Sequence, residues 1–185
     1  MGSYAINLSF NKEFDGYVRE LWRKSSEIKG TSFFRNVEGK APHIAVGFYR
    51  GVESHGFISK FDKILNEELK SIELYVDAVA MFKATNLIFL QPNISIELIG
   101  IIDKVQEAFN EYEENINAYY KKERIFPHIS IAHDNDIEIA KKIYECVLDN
   151  FEPQKVTVKG IELVEVIYKD NKIICSKTIE IKELD

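Results

Sequence analysis

One tripeptide occurs twice, each time opening a strand-like run, and this repetition constrains the fold more than any other feature. Ala41-Pro42-His43-Ile44-Ala45-Val46 is matched by Phe126-Pro127-His128-Ile129-Ser130-Ile131. The chain has only 4 Pro and 4 His, and random placement would give about 0.09 Pro-His pairs. Proline fixes φ and has no N–H to donate, so it belongs at the first residue or the edge of a strand. Each copy therefore opens a strand, at matching points of two related halves.

The periodicity elsewhere supports a duplication. Tyr4–Ser9 reads as a short strand. Phe14, Tyr17, Val18, Leu21, Trp22 and Ile28 have helical spacing, with Gly30 as the stop. Phe57, Phe61, Ile64, Leu65 and Leu69 mark a second helix. Ser71–Ala84 and Asn86–Gln91 read as strands joined by a tight turn around Thr85 and Asn86. A long third helix follows Pro92 and Asn93, its stripe running from Leu98 through Val105, Phe109, Tyr112 and Ile116 to Tyr119. Asp134 and Asp136 cap a fourth helix that Pro153 ends. Lys155–Tyr168 and Lys172–Ile181 are strands joined at Asp170–Asn171. This order predicts a bilobal, pseudo-duplicated α+β fold, with two antiparallel sheets forming a central groove and helices packed outside. It is read as a single domain over 1–185, with lobes of roughly 1–85 and 86–185 free to exchange strands.

Composition narrows the function. Hydrophobic residues make up 45% of the 185 and charged residues 29%, enough to build a core without disulfide or metal staples. A net charge of −6 argues against a broad basic face for duplex nucleic acid or anionic membrane, while leaving room for a small basic pocket. Cys146 and Cys175 form no CxxC and read as reduced thiols of a cytoplasmic protein. Met1–Ser9 lacks the basic start and apolar run of a signal peptide. The apolar clusters Leu87–Leu90 and Leu98–Ile102 are too short to span a bilayer.

Side chains alternate faces along a strand. His43, Ala45 and Gly47 therefore share one face, and His128, Ser130 and Ala132 share another, while Ile44, Val46, Ile129 and Ile131 face the core. Small residues behind each histidine keep space clear for a ligand. If the two strands lie together, both imidazoles converge on one groove. Two histidines on opposite sides of a phosphorus can act as general base and general acid in an in-line displacement, and an unperturbed pKa near 6.5 suits either role. The Ser130 hydroxyl can donate to a non-bridging phosphate oxygen. No metal or cofactor is required by such a scheme.

The two His-x-Ser-like motifs, about 80 residues apart at strand starts of a duplicated chain, resemble the two-histidine (2H) phosphoesterase superfamily. The opening strand and the amphipathic helix after it are similar to its 2′-5′ RNA ligase-like branch. The resemblance implies a bilobal fold and metal-independent cleavage of 2′,3′-cyclic phosphates at RNA ends or of 2′-5′ linkages, which some members also join. Carried over, His43 and His128 are the acid–base pair and Ser130 is a phosphate donor. Two positions depart from the pattern. Ala45 stands where the first motif normally has Thr or Ser. His133 stands five positions after the second histidine, where many members have Arg.

Further candidate contacts come from the flanks. Arg35, Lys40 and Arg50 surround the first motif, and Lys121, Lys122 and Arg124 precede the second. Tyr120, with Phe33, Phe34, Tyr49 and Tyr119, can stack a base. The expected partner is a small nucleotide or RNA-end phosphodiester, taken by a monomer, with no extended duplex and no membrane. Two rival readings remain. A metal hydrolase would draw on His128, His133, Asp134 and Asp136, but these lack a recognised ligand spacing. A binding module without turnover would follow from the loss of a hydroxyl at Ala45. The sequence has no Gly-rich phosphate loop and no GxSxG elbow, and His55 reads as a loop residue.

Overall fold

A computed structural model describes residues 1–28, 34, 37–65 and 69–185, with the side chains of Lys63 and Leu65 outside the description. The described elements are β1 (Gly2–Phe10), α1 (Lys12–Ser26), β2 (Ile44–Val52), α2 (Ser54–Leu65), β3 (Ile72–Phe82), β4 (Leu87–Pro92), α3 (Ile96–Ala108), β5 (Ile129–His133), α4 (Ile137–Asn150), β6 (Gln154–Lys169) and β7 (Lys172–Glu183).

Helix starts follow their caps. Asn11 accepts from the Phe14 N–H at 3.0 Å, Ser95 from Leu98 at 3.2 Å, and Asp136 from Glu138 at 2.9 Å. On α1 the buried stripe is Phe14, Val18, Leu21 and Trp22, the helical spacing expected from the sequence. The β6–β7 hairpin turns through Asp170 and Asn171, both at positive φ (50° and 60°), where short polar side chains tolerate a left-handed backbone. Asn86, at φ 53°, does the same for β3–β4.

Every pairing is antiparallel, in the order β1-β2-β5-β4-β3-β6-β7, and β6 also pairs with β1. Helices α2 and α3 pack near β2, while α1 and α4 pack behind β3, β4 and β5. The long strand β6 reaches both groups: Gln154–Val158 pair with β3, and Val158–Glu165 pair with β1. At the other junction, β2 and β5 share a single register pair, Ile44 with Ile129. Both isoleucines are fully buried in a core that runs through both groups of strands.

Three details differ from expectation. The strands join in one seven-stranded sheet rather than two, because β6 pairs with both β3 and β1. His55 lies in the first turn of α2 rather than in a loop. The third helix ends at Ala108 rather than continuing to Tyr119. Beyond Phe109 the chain makes 3₁₀ turns at Asn110–Tyr112 and Ala118–Tyr120. Between them it hydrogen-bonds to β2: Arg50 N–H donates to the Asn115 carbonyl at 3.0 Å, and Asn117 N–H to the Phe48 carbonyl at 2.8 Å. With β5 reaching β2 at one pair only, the remaining edge of β2 has backbone groups that need partners. Satisfying those groups outweighs prolonging the apolar period.

Candidate active site

The two histidines are held in the same way. His43 Nδ1 lies 2.7 Å from the Ala41 carbonyl, and His128 Nδ1 lies 2.7 Å from the Phe126 carbonyl. A carbonyl only accepts, so each Nδ1 must carry the proton, which leaves Nε2 as the nitrogen available to a ligand. The motifs are thus repeated in side-chain geometry as well as in sequence.

The Ile44–Ile129 pair sets their relation. Antiparallel continuation places His43 across from Ser130 and Ala45 across from His128, all on the face opposite the buried isoleucines. His43 and His128 are then diagonal neighbours, with Cα atoms roughly 7–8 Å apart. Both line one groove of about 540 Å³. Its lining includes Asn7, Ala45 and the cations Lys40, Arg50, Lys83 and Arg124, of which Lys40 is the buried one. Among the described residues lining it there is no carboxylate, although the whole chain has a net charge of −6.

Burial and neighbouring charge shape the titrations. His43 is pushed down to about 3, first by burial and then by the Lys40 charge and by His128, against the opposing Ala41 hydrogen bond. Burial also lowers His128, whose ring lies 5.2 Å from those of both Phe82 and Phe89. Lys40 is lowered to about 8 by burial. Burial, and then the charge of Tyr168, raises Tyr120. The sequence expectation of ordinary imidazoles near 6.5 therefore does not hold in this groove, because both rings are partly withdrawn from water.

The other expected site residues divide. Arg50 lines the groove with its guanidinium over Phe48 (5.1 Å) and Tyr168 (5.6 Å), and it donates to the Tyr168 hydroxyl at 3.3 Å. Arg124 also lines it, 5.2 Å over the exposed Tyr119 ring. Tyr120 is a third wall residue, edge-on to Phe48. Lys122 instead pairs with Asp103 of α3 at 2.7 Å and, with Lys121, lines a separate cavity. The chain turns between Lys121 and Arg124, with a 2.8 Å hydrogen bond between their backbones, so these near neighbours serve different surfaces. Ser130 and His133 are half-buried on β5 and do not line the groove. His133 instead pairs with Leu87 in the ladder to β4.

Of the aromatic candidates, Tyr49 is fully buried against Phe57 and Phe109, and Phe34 is buried against Trp22. Neither can stack a ligand. Phe33 and Arg35 lie outside the described residues. Asp134 and Asp136 accept backbone N–H groups at the start of α4. No group of three or more His, Cys, Asp or Glu able to hold a metal occurs among the described residues. No described helix is long and apolar enough to cross a membrane.

Asn7, Phe82, Lys83 and Tyr168 are among the groove residues that went unrecognised in the sequence. Asn7 had a signal, being the one polar residue inside the apolar run Tyr4–Leu8. Phe82 and Lys83 come with the β3–β4 hairpin, which β4 joins to β5, and Tyr168 comes with β6, which runs alongside β1.

Comparison with known proteins agrees with this geometry. The sequence model of the 2′-5′ RNA ligase superfamily matches residues 17–167. E. coli LigT, solved in complex with NADP+, superposes with a TM-score of 0.67 at 12% identity, covering 99% of this chain and 97% of LigT. TT0787 of Thermus thermophilus superposes with a TM-score of 0.67 at 14% identity, covering 98% of this chain and 97% of TT0787. A crystal structure described as a phosphoesterase gives a TM-score of 0.67 at 11% identity, over 99% of this chain and 98% of its own. No curated protein matches the sequence significantly. These solved structures share the fold, and the family match extends over both histidine motifs: the chain belongs to the 2′-5′ RNA ligase superfamily of two-histidine phosphoesterases.

Proposed function

We propose that this protein is a metal-independent phosphodiesterase acting on a small RNA-like or cyclic nucleotide phosphodiester. The observation that carries the reading is the matched pair of histidines, each fixed through Nδ1 to a backbone carbonyl, in one groove lined by four cations. His43, neutral and with Nε2 free, accepts a proton from the attacking water or hydroxyl. His128, once protonated, gives its proton to the departing ribose oxygen, and the pair exchanges roles in the reverse direction. The cationic lining offsets the phosphate charge, and Tyr119, Tyr120 and Phe126 offer ring faces to a base. LigT has been crystallised with 3′-AMP, ATP and phosphate, and a groove of this charge suits the same kind of small anion. The two free cysteines fit a reducing compartment such as the cytoplasm.

The test is hydrolysis of adenosine 2′,3′-cyclic phosphate with and without EDTA. Turnover should survive the chelator and fall at least about 10³-fold in His43→Ala and in His128→Ala. Activity abolished by EDTA and restored by zinc would overturn the reading. A second reading, binding without turnover, is favoured by Ala45, whose methyl faces His128 where a hydroxyl would donate. Tight binding of the cyclic end with no product after long incubation would select it.

A further inference from the structure

We infer that Asn7 is a phosphate-binding residue of this groove, supplying through its side-chain amide the donor that Ala45 lacks. The inference rests on the phosphoesterase reading above and assigns a part of the site that neither motif contains.

The two histidines have unequal surroundings. Extending the Ile44–Ile129 pair by one residue each way puts Ser130, which does not line the groove, opposite His43, and Ala45, with only a methyl, opposite His128. The row continues past that methyl, because Ala45 is the register partner of Asn7 on β1, and Asn7 is the partner of Glu162 on β6. Residues in register share a face, so Ala45, Asn7 and Glu162 form one row, in which Ala45 and Asn7 line the groove and Glu162 lies outside its lining. Asn7 lines the groove and also a small recess beside it that His43, Lys40 and Glu162 share.

Asn7 is only 5% exposed, and its Oδ1 is buried without a hydrogen-bond partner. Buried polar atoms are almost always paired, and an orphan lowers stability. An apolar residue would suit β1 better, since its neighbours Ile6 and Leu8 are fully buried and Ala5 packs against Val164 and Val166. A phosphodiester gives the amide its partners. The NH₂ donates to a non-bridging oxygen, and Oδ1 accepts from the hydroxyl that enters or leaves at phosphorus. The short Ala45 side chain leaves the path between Asn7 and His128 open. Glu162, at the far end of the row, is shifted toward its neutral form by burial.

The test uses Asn7→Val, Ala45→Ser and the double variant, read by hydrolysis of adenosine 2′,3′-cyclic phosphate, calorimetric binding of adenosine 3′-monophosphate, and melting temperature. Asn7→Val should lower kcat/KM about 10²-fold, as removal of one donor to a developing oxyanion does. It should weaken 3′-monophosphate binding about tenfold, and it should leave Tm unchanged or raised because an orphaned polar atom has gone. Ala45→Ser should restore about tenfold or more of the rate in the Asn7→Val background. Rate and binding both within about twofold of wild type in Asn7→Val would overturn the inference. So would a Tm loss above about 5 °C with binding intact, since Asn7 would then be structural. If wild type hydrolyses the cyclic phosphate and Asn7→Val does so equally well, only this inference falls. If wild type never turns over but binds the 3′-monophosphate through Asn7, the phosphodiesterase reading falls and the binding role stands. If wild type neither binds nor hydrolyses, both fall.

Discussion

Lys40 and His43 share one wall of the groove, and the lysine's charge adds to burial in holding the imidazole neutral. The consequence is a pH–rate profile set by a depressed pair. The plot of kcat/KM against pH for adenosine 2′,3′-cyclic phosphate should have its acid limb below about pH 6.5. Removing the positive charge with Lys40→Gln makes the imidazolium easier to form, so that limb should move up toward 6.5. A limb that stays in place would show that burial alone controls His43.

The same shift links stability to pH. His43 has a folded pKa of about 3 and an unfolded one of about 6.5. A group depressed in the fold contributes its stability fully above the unfolded value and loses it as pH falls toward the folded one. Denaturation midpoints should therefore drop progressively below about pH 6.5. In His43→Gln, which cannot ionise, the drop over this window should be shallower.

The Trp22 indole N–H donates to the Ser130 carbonyl at 3.0 Å, tying α1 to the second motif. Trp22→Phe keeps most of the buried ring and loses the donor. It should destabilise the protein by about 1–2 kcal/mol in urea unfolding. Because Ser130 does not line the groove, KM should change little.

Arg50 is exposed, lying over Phe48 and Tyr168 at the rim. Its charge acts on substrate and transition state alike. Arg50→Ala should raise KM about 3–10-fold with kcat nearly unchanged, and should flatten the rise of KM with added salt. A fall in kcat equal to the fall in kcat/KM would place Arg50 on the reacting phosphate instead.

The legible part of this molecule is its local part. Pro42-His43 and Pro127-His128 announce two strand starts because proline limits the backbone wherever it stands, and the two-residue alternation then assigns faces without knowledge of the partner strand. Asp136 marks a helix start for the same reason, through a hydrogen bond to the residue two positions on. What escaped depends on contacts between distant segments. Tyr112 and Ile116 continue a helical period, yet the open edge of β2 takes the backbone at Asn115 and Asn117. Lys122 is near His128 in sequence, but Asp103 on the outer helix takes it. Tyr168 reaches the groove only because β6 runs alongside β1.

The lone rung between Ile44 and Ile129 acts as a ruler. The interval between His43 and His128 is set by main-chain geometry at buried positions. The segment from Asn117 to Phe126 and the β3–β4 turn contribute to the rim of the groove. They can be rewritten to admit a different substrate while that interval stays the same. On the proposed reading, chemistry and selectivity fall to separate parts of the chain.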